Sequence, residues 1–178
     1  MALSGLLIAS PQLRDPNFHH TVVLLCHHDD QGALGLVLTR EGAVRVDEVL
    51  ARLEIDAGQP FPALTGWGGP VGDGVGFVIW RGEVGAHEGW SLDDQVAVSP
   101  SAERLARLVT DGADFDLLLG YAGWGPGQLE AELDEGSWLF ADIDHRVVLE
   151  TPRGGRYEAA LALLGLSPEL LFMRPIDA

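Results

Sequence analysis

The densest chemistry in this chain is Cys26-His27-His28-Asp29-Asp30, with His19-His20 seven residues upstream. A thiolate with two imidazoles is a donor set for zinc or copper, and a thiol beside a histidine suits a nucleophile or redox centre. Side chains alternate between the faces of a strand, which predicts Cys26, His28 and His20 on one face and His19 and His27 on the other. The same geometry separates His20 from Cys26 by about 20 Å, so only Cys26 and His28 can act together. A metal ion would need further ligands from elsewhere. Cys26 and His28 are thus the candidate reactive pair. The plainer reading buries Cys26 in a strand that emerges into solvent over 27–30.

Other motifs are less demanding. Asp142-Ile143-Asp144-His145 has the composition of an acid/base or metal cluster, but between two strands it reads more simply as a polar turn. His87-Glu88 lacks the second histidine of a zincin helix, and no Gly-x-Ser-x-Gly occurs. No catalytic residue, cofactor or metal ligand set is assigned. Gly72-x-Gly74-x-Gly76 misses the last glycine of a dinucleotide fingerprint, because Phe77 stands there. Gly123-Trp124-Gly125-Pro126-Gly127 leads a strand into a helix, where backbone N–H groups can hold an anion, although Glu130 and Glu132 oppose one. A turn whose Trp124 packs that helix onto the sheet is the simpler account. Trp67, Trp124 and Trp138 read first as core or pocket walls. If the two Gly-Trp loops converge, then Trp67, Gly69, Pro70, Tyr121, Trp124 and Gln128 rim a binding cleft. These six are the candidate binding residues.

Composition narrows the classes. The chain has 178 residues, 27 acidic and 11 basic, for a net charge of −16. Such a length suits one domain, 1–178, with a substantial core. Every basic residue is Arg. That excludes a Schiff-base lysine, a P-loop lysine and a Ser-Lys dyad. A charge of −16 repels phosphate backbones, so direct binding of nucleic acid is disfavoured. A single Cys excludes an internal disulfide framework and a multi-thiolate zinc site. No apolar run approaches the roughly 20 residues of a membrane span, and residues 3–9 lack the positive flank of a signal peptide. A cytoplasmic location is the expectation.

Those residues must be positioned by elements the pattern predicts. Strands are expected over 5–10, 20–28 and 33–39, the last two as a hairpin. Val46, Val49, Leu50 and Leu53 have the spacing of a helical face over 46–53. The segment 64–76 is dense in glycine and precedes a strand over 77–81. Ser99-Pro100 is expected to cap a helix with Leu105, Leu108 and Val109 buried and Gly112 ending it. A strand over 115–121, a short helix over 128–133, and strands over 138–141 and 146–149 follow. A helix over 156–164 ends at Gly165, and Ser167-Pro168-Glu169 is expected to cap a final turn. Paired strands without regular helix alternation favour α+β with a largely antiparallel sheet.

Several blocks together resemble the YqgE/AlgH family. They are Leu7-Ile8-Ala9-Ser10-Pro11, Asp15-Pro16-Asn17-Phe18, 22–28, and Gly32-Ala33-Leu34-Gly35-Leu36-Val37-Leu38. Gly68-Gly69-Pro70-Val71, Gly76-Phe77-Val78, Gly120-Tyr121-Ala122-Gly123-Trp124, Gly127-Gln128-Leu129-Glu130 and Trp138-Leu139 continue the family's order. Cys26 and His28 fall where the family commonly carries Cys and His. Thr39-Arg40 and His20 depart from its pattern, which often has Asn before a base and a basic residue there. The resemblance implies one α+β domain with a bent, largely antiparallel sheet forming a pseudo-barrel, helices outside. The family is bacterial, some members are labelled transcriptional regulators, and the resemblance implies no reaction. With the charge, it points to a non-enzymatic binding or regulatory protein acting through a protein or small-molecule partner. The alternatives are a Cys26/His28 redox or hydrolytic enzyme and a direct DNA-binding regulator.

Overall fold

A computed structural model describes residues 3–11 and 13–167. The turn expected at Ser167-Pro168-Glu169 lies outside the described residues from 168 onward. Ten strands form one open sheet: β1 (Gly5–Ala9), β2 (Val22–Asp29), β3 (Gly32–Val37), β4 (Glu41–Arg45), β5 (Leu64–Trp67), β6 (Val71–Arg81), β7 (Trp90–Ser91), β8 (Val96–Ser99), β9 (Asp116–Trp124) and β10 (Trp138–Ala141). The order is β10-β1-β2-β3-β9-β6-β8-β7, with β5 joining β4 to β9. The β5–β9 pairing is parallel and the other described pairings are antiparallel. The fold is α+β and largely antiparallel. Its sheet runs from β10 to β7 without closing, so the pseudo-barrel is an open one.

Both faces of β1 and β2 are covered, which is why these strands read as nearly continuous apolar runs. Leu6, Ile8, Val22, Leu24 and Cys26 face Val147, Val148, Ala160 and Leu161. Leu7, Ala9, Val23 and Leu25 face Trp124, Leu129 and Trp138. Helices α3 (Gln128–Asp134) and α4 (Arg156–Leu163) therefore lie on opposite sides. A third cluster packs α1 (Val46–Arg52) and α2 (Ala102–Thr110) on Val78, Trp80 and Leu117. Leu6, Leu7, Ile8, Leu24 and Leu25 are fully buried, each contributing about 1.5–3 kcal/mol.

Helix α2 begins two residues later than expected. Its cap is Ser101, whose Oγ accepts from Arg104 N at 3.2 Å, while Ser99 ends β8 and donates its hydroxyl to Glu88 O at 2.6 Å. Leu105, Leu108 and Val109 are its buried stripe, and Gly112 follows it at φ 67. The expected strand over 146–149 is instead a π-helical turn, Arg146–Glu150. The β-branched pair Val147-Val148 suggests a strand, but Asp144 overrides that preference. Its Oδ1 accepts from Arg146 N at 2.8 Å and its carbonyl accepts from the N–H groups of Val147 and Val148. A capped turn is the result.

The glycine-dense middle is a region of backbone contact. A Cβ on Gly69 would sit 2.1 Å from the carbonyl of Tyr121, and one on Gly120 would sit 2.5 Å from the Gly69 oxygen. Gly68 N donates to Leu119 O at 2.8 Å, and Val37 N donates to Gly68 O at 2.8 Å. These glycines let two chain segments lie against each other, so the segment after β5 packs directly on β9.

Candidate functional site

The structure separates the two candidate reactive residues. Ladder register along β2 shifts between Leu25 and His27, which pair with Gly35 and Leu34, leaving Cys26 as the extra residue of a bulge. Cys26 belongs to the cluster under α4, whereas His28 pairs with Ala33 and reaches Glu130 of α3. The bulge corrects the simple alternation that placed Cys26 and His28 on one face. Cys26 is 5% exposed, and burial pushes its thiol far up from the ordinary range. His28 is also buried. Its Nδ1 accepts from Leu3 N at 3.1 Å, so the neutral ring carries its proton on Nε2, 3.3 Å from Glu130 Oε2 but misaligned for a hydrogen bond. Both groups are buried, and the bulge holds them apart. A thiol reagent is expected to label Cys26 at least about a thousandfold more slowly in the folded chain than in denaturant. Rapid labelling of folded protein would restore the reactive reading.

The six candidate binding residues divide between the faces of the sheet. Trp67, Trp124 and Gln128 lie on the α3 side, and Tyr121 packs edge-on against Phe77, 6.0 Å away, in the opposite core. Trp124 is buried in an aromatic cluster with Phe18 and Trp138, at ring distances of 6.3 and 6.2 Å. Its Nε1 donates to Glu132 Oε1 at 3.0 Å, and Trp138 Nε1 donates to the same oxygen at 2.9 Å. Gln128 Oε1 accepts from Gly125 N at 3.0 Å and its Nε2 donates to Glu132 Oε2 at 3.0 Å. One N–H of this loop, that of Gly125, is therefore already bonded. Trp67 stacks under Arg40, whose guanidinium carbon stands 5.4 Å from the ring centre. Gly69 is spent on the contact with Tyr121, and Pro70 is exposed beside it. The three main cavities among the described residues are lined by none of these six.

A cleft opens elsewhere. A cavity of about 580 Å³ lies between the end of β6, the start of β9 and the segment 148–156. Asp116, Arg153 and Arg156 form its floor. Arg153 sits in a 3-10 turn, Arg153–Gly155, and Arg156 opens α4. Arg156 donates to Asp116 Oδ2 at 3.0 Å, Leu38 O at 2.8 Å, Val148 O at 2.7 Å and Thr151 O at 3.1 Å. Burial lowers its pKa, and Asp116 offsets part of that shift. It stays charged, since guanidinium titrates far above neutral pH. Arg153 donates both Nη groups to Asp116, at 3.3 and 3.0 Å. Gly66 makes room: a Cβ there would stand 2.3 Å from Arg153 Nη1. The π-helical turn supplies the wall of Val148, Leu149 and Glu150, and it presents the Val148 carbonyl that Arg156 holds. Asp116, Arg153 and Arg156 escaped the sequence reading, which took Arg156 only as the start of a helix over 156–164. A recognisable signal was present in the repeat of Arg at an i, i+3 spacing beside an otherwise apolar helix in a chain poor in bases.

Residues 6–169 match the AlgH-like family, DUF179. The chain belongs to the AlgH-like family. Among its relatives, a UPF0301 protein of Vibrio atlanticus is 37% identical over 169 residues, covering 90% of each chain. One from Ruegeria pomeroyi is 38% identical over 177 residues, covering 96% of each. The solution structure of the AlgH protein from Pseudomonas aeruginosa superimposes with a TM-score of 0.76 at 34% identity, over 98% of this chain and 95% of that one. The YqgE/AlgH resemblance is thereby established across nearly the whole AlgH-like chain. Among the described residues, no helix is long and apolar enough to cross a membrane, and no three His, Cys, Asp or Glu side chains gather as an ion site.

Proposed function

We propose that this AlgH-like chain is a non-enzymatic binding protein of the cytoplasm, with regulatory output, and that its binding site is the Asp116–Arg153–Arg156 cleft. The observation that carries this reading is a preformed cavity of about 580 Å³ whose floor is fixed by hydrogen bonds. Ligand sites are commonly concave, largely preformed and of about 300–1,000 Å³. The carboxylate oxygens of Asp116 both accept from guanidinium groups, and Arg156 is tied to three carbonyls. Such a floor holds and orients, and offers no group poised to move a proton. The charge of −16 supports a partner other than a phosphate backbone.

A small-molecule fragment library, read by amide chemical shifts of the intact chain, tests the reading. Binders are expected to perturb Phe115, Thr151 and Arg153. Binders that instead gather around Trp67 and Pro70 would move the site to the Gly-Trp loops.

A further inference from the structure

The floor of the cleft is unevenly charged. Arg153 and Arg156 both face Asp116, so two guanidiniums stand against one carboxylate. Arg81, on the same cleft, adds no free charge because its Nη2 meets Glu150 Oε2 at 2.8 Å. The bonded trio of Asp116, Arg153 and Arg156 thus carries one net positive charge, while Asp114 stands exposed on the same cavity.

Arg153 also has an unused edge. A guanidinium can grip a carboxylate end-on through its two Nη groups or side-on through Nε and one Nη. Asp116 occupies the end-on position. Both bonds of Arg153 to Asp116 come from its Nη groups, and its Nε–H takes no part in that pair. Asp116 does not use the side-on fork, and Arg153 lines the cavity. Around it Ile79, Phe115 and Pro152 supply apolar wall.

We propose, resting on the cleft as the binding site, that its ligand is a small organic monocarboxylate with an apolar or aromatic body. Its two oxygens accept from the Nε–H and outer Nη2–H of Arg153, and its body lies along Phe115 and Pro152. One negative charge matches the trio. A dianion does not, because Asp114 lines the same cavity and opposes charge beyond what the trio neutralises.

Benzoate, its neutral analogue benzamide, and inorganic phosphate are titrated into the isotope-labelled chain, and the Arg153 side-chain Nε–H and backbone amides are followed. Benzoate is expected to move the Arg153 Nε–H and the Phe115 and Thr151 amides saturably, in the millimolar range expected of a fragment. Benzamide binds at least about tenfold more weakly. Arg153→Gln removes the charge, and Arg153→Lys keeps it but loses the fork; both lose benzoate binding while amides remote from the cleft stay unmoved. Should Arg153→Gln fail to fold, Arg153→Lys carries the test. Equal binding of benzamide and benzoate overturns the carboxylate but leaves the cleft as the site. Tighter phosphate than benzoate overturns the monoanion. Unchanged benzoate binding in the Arg153 variants overturns the assigned contact, and silence with all three probes counts against the cleft itself.

Discussion

Arg156→Ala is expected to cost about 3–5 kcal/mol of stability, the range for breaking a buried ion pair by removing one partner. For a chain of this size that lowers the thermal midpoint by about 6–20 °C. The reason is the number of groups that Arg156 satisfies at once. Leu38 O follows β3, Val148 O and Thr151 O belong to the π-helical turn and its exit, and Asp116 begins β9. Each buried acceptor left without a donor costs about 1–3 kcal/mol, although Asp116 keeps Arg153. Arg156→Met separates bonds from volume. It fills most of the space but donates to none of the carbonyls, so it is expected to fall close to Arg156→Ala. Arg156→Lys keeps the charge and fewer donors, and lies between them and the parent. Denaturant unfolding followed by circular dichroism reads all three. A Met variant within about 1 kcal/mol of the parent would show that packing, and not the bonded network, holds this junction.

Glu132→Ala is expected to lose about 2–4 kcal/mol, because the indole N–H groups of Trp124 and Trp138 lose their shared acceptor. Tryptophan emission should shift to the red as the helix loosens from the sheet. Glu132→Gln keeps an oxygen for both indoles and is expected to retain most of the stability. Charge works in the other direction, since either variant takes the chain from −16 to −15 and reduces self-repulsion. A stabilised Glu132→Ala would therefore mean that repulsion outweighs the indole bonds. The same measurement shows whether Trp124 anchors α3 or is available to a ligand.

Much of the sheet was legible because its central strands are buried on both faces. Val22 to Leu25 could only be a strand between covers, and Leu105, Leu108 and Val109 mark α2 by spacing alone. What escaped was set by contacts distant in sequence. Strands β4 and β5 carry too little pattern, and Gly66 and Gly68 look like loop until β9 is brought against them. The Val147-Val148 turn was hidden because β-branching predicts a strand, while Asp144 decides otherwise through its side chain. The candidate reactive pair was lost to one inserted residue in β2, a shift that alternation cannot foresee. The cleft was missed for a related reason. Asp116 lies 37 residues from Arg153 and 40 from Arg156, so nothing local joins them.

The position of β1 in the sheet has a consequence in time. It lies between β2, which follows at once, and β10, whose last paired residue Ala141 is made far later. Strand β3 likewise waits for β9 to reach Trp124. A chain leaving the ribosome can close the early hairpin, but its first strand keeps a bare edge until most of the protein has emerged. Pairings of that span fold in milliseconds to seconds, and an apolar strand with an unfilled edge is a template for the wrong neighbour. During synthesis, the segment at greatest risk of misassembly is thus Gly5–Ala9, every residue of which ends up buried.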